Sequence, residues 1–262
     1  MASELDQIKY DVAVANRVLT AVGLANGPTI SLGHVSQRIP GDPSKFVVKG
    51  RGYEIDSLPR MRPEDMVLCD LDGYMLDGPK GSTPCYEVQI HAAIMKKRPE
   101  INSVIHVHPQ FTVLFSILGK PIVPMAQGQA INILKKQIPT MRMYKIIQSQ
   151  EEGQQVADTL ADNAAMLLLG HGVVVAGSAP DEVVIGALGL EEQAKMNYYA
   201  YSVAGPDYPT IPDDLVQENF YRQINFEDLP QFKGLGAGAH SQRRNAVFSH
   251  YAEIVSRDLS KP

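Results

Sequence analysis

Seven histidines occur in this 262-residue chain, and three of them stand where an imidazole could bind a metal ion. In His106-Val107-His108 the two histidines alternate within an apolar run, 104–108, that Pro109 closes and that reads as a buried strand. Alternate strand residues point to one face, so both rings project together, and two neutral imidazoles on one face make half a metal site. His171 lies in Gly170-His171-Gly172 between two apolar runs, 164–169 and 173–176, that read as strands. Flanking glycines allow a sharp turn and leave its ring clear. Glu87, with His91 one helical turn further on, offers a carboxylate for acid–base work. Each group also has a plain reading. An isolated pair such as His106 and His108 can put one ring in the core and the other at a turn, and a helix glutamate is ordinarily solvated.

The elements that must carry these groups follow from periodicity. Ile8, Val12, Ala15, Val18, Leu19 and Val22 recur at helical spacing, so residues 5–22 predict an amphipathic helix stopped by Gly23. Short β-like runs follow at 45–49 and 66–69, with Asp72-Gly73 as a hairpin turn. Thr83-Pro84 offers an N-cap and a proline at the first helical position, so a helix carrying Glu87 is expected from there to about Lys97. The longest helix is expected from about Ala179 to Tyr201, with Asp181 and Glu182 in its first turn as the helix dipole favours. Beyond Gly205 the chain is rich in Pro, Gly, Asn and Gln and includes a glycine-rich run over 234–240. It reads as an extension, 205–262, packing on a catalytic domain, 1–204, or on a neighbouring subunit.

Composition narrows the partner. With 44% hydrophobic and 20% charged residues the chain can bury a sizeable core as a single domain. A net charge of −5 and a pI near 5.8 argue against a nucleic acid or an anionic membrane surface, which need clustered Lys and Arg. No apolar stretch approaches the roughly 18 residues of a membrane span, and the acidic start does not read as a signal peptide. A cytoplasmic protein with a small-molecule substrate is expected. Cys69 and Cys85 are too widely spaced for a CxxC motif and are expected to be reduced and semi-buried.

Several short segments then point the same way: Gly33-His34-Val35-Ser36-Gln37-Arg38, Asp70-Leu71-Asp72-Gly73, Glu87-Val88-Gln89-Ile90-His91, Arg98-Pro99-Glu100, His106-Val107-His108-Pro109 and Gly170-His171-Gly172-Val173. In this order they resemble the class II aldolase/adducin family, from about Val12 to Tyr201. The resemblance implies an α/β fold, a three-layer α/β/α domain with a mostly antiparallel central sheet, commonly a homotetramer with active sites at subunit interfaces. It implies one divalent metal ion per subunit on His106, His108 and His171, with Glu87 as a further ligand or as acid/base, and no organic cofactor. Three imidazoles with an open position suit Mn²⁺, Zn²⁺ or Fe²⁺, and ligand type does not choose among them.

Sugar-phosphate aldolases of the family carry a Gly-Asn-x-Ser turn and a Ser-Ser pair that grip phosphate. Here the matching stretches are Gly33-His34-Val35-Ser36 and Thr83-Pro84-Cys85. The Gly-His-Val-Ser-x-Arg form resembles the decarboxylase branch, which implies a hydroxylated aromatic or pyridine carboxylate as substrate. The metal would then be a Lewis acid on the substrate oxygens, and Glu87, shielded enough to hold a proton near neutral pH, the proton donor. His34, Ser36 and Arg38 become candidate substrate contacts, Arg38 because its fork matches a carboxylate. Tyr198, close in sequence to Tyr199, Tyr201 and Tyr208, becomes a candidate pocket wall. Two other enzyme readings stay open: a retro-aldol lyase, or related epimerase or dehydratase, acting on a sugar phosphate, and a non-haem iron oxygenase of the hydroxyphenylpyruvate type. The adducin branch, an interaction module without a functional metal site, fits poorly with a chain that keeps all three histidines and the glutamate.

Overall fold

The first helix, α1 (Glu4–Ala21), begins where Ser3 and Asp6 each bond the other's backbone N–H, a capping box that satisfies two orphan donors. It ends at Val22, and Gly23 turns the chain at φ +80°. The computed structural model describes residues 3–52, 55–127, 130, 133–221, 228–234 and 245–262. Within them the strands are β1 (His34–Ile39), β2 (Asp42–Arg51), β3 (Met66–Asp70), β4 (Met75–Asp77), β5 (Thr83–Pro84), β6 (Ser103–Val107), β7 (Thr140–Met141), β8 (Ala165–Leu168) and β9 (Gly172–Gly177). They form one sheet in the order β4-β3-β2-β1-β6-β9-β8-β7, with β5 added to β2. Every pairing is antiparallel except β7 with β8. The remaining helices are α2 (Val88–Lys97), α3 (Gln110–Leu118), α4 (Gln150–Leu160), α5 (Pro180–Ala204), α6 (Asp213–Tyr221) and α7 (Ala246–Val255).

Alternation along the strands sorts side chains into two cores. Val35, Val47, Ile105, Val107, Val173 and Val175 pack with α1 and α5. Phe46, Val48, Val104, Met166 and Val174 pack with α2 and α4. The result is the expected three-layer α/β/α arrangement around a mostly antiparallel sheet. Helix α7 joins the α1 side, where Phe248 is buried and Arg17 donates to the carbonyls of Met61 and Val255 and to the Asp258 carboxylate. The glycine-rich run that sequence places over 234–240 lies, after Gly234, outside the described residues. Among the described residues no helix is long and apolar enough to cross a membrane.

One boundary differs from expectation. Thr83-Pro84 does not start a helix; its backbone pairs with Gly50 and Arg51 as β5, and α2 begins only at Val88, with Glu87 at the N-cap position. The pairing with β2 takes the extended conformation that the residue before a proline prefers.

Candidate metal centre

His106 is fully buried on β6 and its Nδ1 lies 3.0 Å from the Val173 carbonyl on β9. Because a carbonyl only accepts, that nitrogen carries the proton and the ring's lone pair is left on Nε2. His108 immediately follows the strand, and Pro109 then opens α3, whose Phe111 and Thr112 N–H groups donate to the Glu191 carboxylate of α5. This capping from a neighbouring helix pins the strand exit. His171 occupies the turn from β8 to β9. Gly170 adopts the left-handed backbone at φ +62°, and a Cβ on Gly172 would sit 2.6 Å from the Val107 carbonyl oxygen and 2.7 Å from His106 Cε1. Only glycine lets this turn approach the His106-Val107-His108 segment so closely. The ring centroids of His106 and His108 are 4.6 Å apart, and those of His106 and His171 5.0 Å.

Glu87 reaches the histidines from the α2 layer. Its Oε2 lies 3.2 Å from His106 Nε2 and its Oε1 3.5 Å from His171 Nε2, while the Ile147 N–H donates to Oε1 at 3.0 Å. One donor atom from each of Glu87, His106, His108 and His171 falls within 4.8 Å of all the others.

The chemistry of this donor set fits a divalent cation. His106 Nε2, His108 Nδ1 and His171 Nδ1 are buried without a hydrogen-bond partner, and His106 Nε2 meets Glu87 at ion-pair distance without hydrogen-bond geometry. An unpaired buried group costs about 1–3 kcal/mol, and the nitrogens that face Glu87, His106 Nε2 and His171 Nε2, are placed so that a cation between them and the carboxylate would satisfy them. Burial first, and then any charge on neighbouring His106 and His171, push His108 down to about 3, so its ring is neutral at pH 7 and one of its nitrogens keeps a lone pair. For Glu87, burial raises the pKa, and the His106, His171 and His34 rings beside it lower it to the extent that they carry charge.

A second group, His34, Cys85 and His91, is equally close-packed but chemically closed. His34 Nδ1 lies 2.6 Å from His91 Nε2, and His91 Nδ1 lies 2.6 Å from Ser36 Oγ, so these ring nitrogens already have partners. Burial pushes the Cys85 thiol well above its ordinary value. His34 faces the first cluster, its Nε2 4.0 Å from Glu87 Oε2. The other three expected substrate contacts are placed elsewhere. Ser36 is fully buried behind His91. Arg38 points into the interior at the far end of β1, where its fork donates to the carbonyls of Pro43, Met95 and Ile101. Tyr198 lies on the exposed side of α5 against Phe111 and Tyr199, at a different cavity.

The cavity that opens on the cluster, about 240 Å³, is lined by His34, Glu87, His108 and His171 and also by Lys49, Arg51 and Tyr86, which sequence reasoning passed over. Lys49 is 1% exposed; its Nζ donates to the Ser31 carbonyl at 2.8 Å and lies 3.1 Å from Asp56 Oδ1. Burial lowers its pKa and Asp56 partly offsets that. Arg51 contacts the other Asp56 oxygen at 3.1 Å and lies 4.3 Å above the Tyr86 ring. Two cations share the Asp56 carboxylate at a cavity that Glu87 also lines. The available signal was Lys49-Gly50-Arg51 ending an apolar strand run, Phe46-Val47-Val48, with two cations one residue apart.

Residues 11–198 match the family described as Class II Aldolase and Adducin N-terminal domain. The chain is 29% identical to a 3,4-dihydroxyphthalate decarboxylase of Arthrobacter keyseri over 79% of its own length and 84% of that protein's. It is 27% identical to a 5-methylthioribulose-1-phosphate/5-deoxyribulose-1-phosphate aldolase of Rhodospirillum rubrum, over 85% and 95% respectively. A solved aldolase II superfamily protein from Pseudomonas syringae superposes with a TM-score of 0.76, covering 98% of this chain and 95% of that one at 18% identity. Two percentage points do not choose between the decarboxylase and the aldolase.

Proposed function

The chain belongs to the class II aldolase and adducin family, and from that premise we propose that it is a divalent-metal-dependent decarboxylase of a hydroxylated aromatic or heteroaromatic carboxylate. The observation that carries this reading is the cavity wall facing the histidine cluster. It presents Lys49, Arg51 and Tyr86 around a space of about 240 Å³. Ammonium and guanidinium groups suit an acid, and an aromatic wall suits a planar body.

His106, His108 and His171, with Glu87 beside them, would hold the metal ion, Mn²⁺, Zn²⁺ or Fe²⁺. When bound, it supplies Lewis-acid stabilisation of negative charge on the substrate oxygens. The protein's own groups do the rest. Arg51 and His34 hold and orient the acid groups, and Lys49 shares Asp56 with Arg51 behind them. Glu87, a carboxylate before substrate arrives, takes the hydroxyl proton of the substrate. When the ring–carboxylate bond breaks, its electron pair stays on the ring carbon and CO₂ leaves. Glu87 then returns the proton to that carbon, so one proton is taken and one given back. Residues 205–262 serve in this reading as an extension of the catalytic domain 1–204, and a homotetramer with active sites at its subunit interfaces is the assembly to test by light scattering.

The test is CO₂ release from ortho-hydroxy aromatic and pyridine carboxylates by metal-loaded protein, in air and without oxygen. Oxygen-independent CO₂ release that needs the metal is the expected result. No CO₂ from any of them, with aldehyde formed from a sugar phosphate, would replace this reading by aldol cleavage; strict dependence on O₂ and Fe²⁺ would replace it by oxygenation.

A further inference from the structure

Ser36 and His91 are buried, out of reach of the cavity, and joined in a line to the one ring that does reach it. The contacts run from the Val104 carbonyl to Ser36 Oγ (3.4 Å), Ser36 Oγ to His91 Nδ1 (2.6 Å), His91 Nε2 to His34 Nδ1 (2.6 Å), and His34 Nε2 to Glu87 Oε2 (4.0 Å). His34 is 6% exposed and His91 and Ser36 are at 0%. Water therefore does not compete for these bonds, and the protons in the line must all point one way.

We propose that Ser36 and His91 are positioning residues that hold His34 as the tautomer with its proton on Nε2, so that His34 presents an N–H donor to the acid group of a bound substrate. The inference rests on the reading that the cavity takes an acid. Two polarities are possible. In the first, the Ser36 hydroxyl donates to His91 Nδ1, His91 Nε2–H donates to His34 Nδ1, and His34 Nε2–H faces the cavity. Both 2.6 Å contacts are used, and the outermost N–H points toward the Glu87 carboxylate. In the second, every bond reverses. Ser36 must then donate to Val104 across 3.4 Å, beyond the good O–H···O range of about 2.5–3.0 Å, and a bare His34 nitrogen faces a carboxylate oxygen. The first polarity leaves only hydroxyl lone pairs unpaired, whereas the second leaves the hydroxyl proton without a well-placed acceptor, and that difference favours the first.

The same line says what removing the hydroxyl would do. In Ser36→Ala the partner left near His91 is the Val104 carbonyl, an acceptor. His91 Nδ1 would then carry its proton, His91 Nε2 would accept from His34 Nδ1–H, and His34 would turn a lone pair to the cavity. Ser36→Thr keeps the hydroxyl and suits a strand.

The experiment is long-range ¹⁵N–¹H correlation on the zinc-loaded full chain labelled at histidine, with the His34 signals assigned by their loss in His34→Gln. Wild-type protein and Ser36→Thr should show His34 protonated at Nε2, and Ser36→Ala should move the proton to Nδ1. Benzoate, used as a probe, should bind about tenfold more weakly to Ser36→Ala, the effect of one hydrogen bond to a charged group. A wild-type His34 protonated at Nδ1 would overturn the inference without any variant, and so would a Ser36→Ala protein whose His34 keeps its Nε2 proton. Failure to release CO₂ from any aromatic carboxylate would sink the proposed activity and leave the tautomer result standing, so the two are told apart.

Discussion

Among the described residues two clusters of close-packed imidazoles lie a few ångströms apart, and they differ in whether their nitrogens are spoken for. Around Glu87, the rings of His106, His108 and His171 keep three buried nitrogens unpaired. Around Ser36, the rings of His34 and His91 spend theirs on each other and on a hydroxyl. Proximity of histidines alone therefore does not define a metal centre, because both clusters meet that test. What separates them is unpaired nitrogens: the first cluster offers donor atoms to an ion, and the second spends all but His34 Nε2 in a hydrogen-bond network that supports a wall of the cavity.

The sharpest way to break the comparison is to remove one ring from each cluster. His108→Ala should abolish stoichiometric metal binding and with it CO₂ release. His91→Asn should keep the metal and lose about tenfold in kcat/KM, the low end of what supporting partners of a site contribute. Metal analysis after gel filtration reads both variants. Equal metal content in wild type and His108→Ala would place the ion elsewhere, and metal loss in His91→Asn would merge the two clusters into one site.

Next in size is Glu87→Gln. The amide oxygen can still accept from the Ile147 N–H, so the fold of the loop should hold, but the group can no longer take a proton. CO₂ release should fall by about 10²–10⁴-fold, the usual contribution of a general acid–base group, with thermal stability close to wild type. A drop below tenfold would move the proton transfer to another residue.

How much of this was legible in the sequence follows the same division. The histidines of the open cluster could be found because strand alternation and a glycine-flanked turn are local signals, readable from His106-Val107-His108 and Gly170-His171-Gly172. The layers were legible for the same reason, since the periodicity of α1 and α5 is a property of single segments. The buried partners of Ser36 and Arg38 were not legible, because their types suit a ligand while those partners, His91 on α2 and the carbonyls of Met95 and Ile101, are 55 to 63 residues away. Lys49 was missed because burial of a lysine beside Asp56 depends on how the loop after β2 folds back, which no periodicity records. The start of α2 was misplaced because Thr83-Pro84 has the composition of a helix cap and the tertiary environment of a strand.

Gly172 tests the backbone that separates the clusters. A methyl group there meets the Val107 carbonyl oxygen, His106 Cε1 and, at 3.0 Å, His108 Cδ2, so it pushes on two rings of the open cluster and none of the closed one. Gly172→Ala should cost about 1–3 kcal/mol through overpacking, read as a Tm lower by several degrees, and should weaken metal binding while leaving the His34 tautomer unchanged. Unaltered metal affinity would mean that the turn relaxes freely and that glycine is not what fixes the distance.

The smallest expected effect is a null spectrum, and it bears on Cys85, which lies beside His34 and His91 and whose sulfur is the softest donor near the cavity. Its thiol is buried and its pKa raised, so deprotonation to a thiolate ligand is disfavoured, and both His91 nitrogens and His34 Nδ1 already have partners. Cobalt(II) loaded in place of the native ion should therefore show ligand-field bands of a nitrogen and oxygen site without thiolate-to-cobalt charge transfer, and Cys85→Ser should leave that spectrum unchanged. A charge-transfer band lost in Cys85→Ser would mean that the closed cluster opens to bind metal, and that the pairing of its nitrogens is a resting arrangement and not a permanent one.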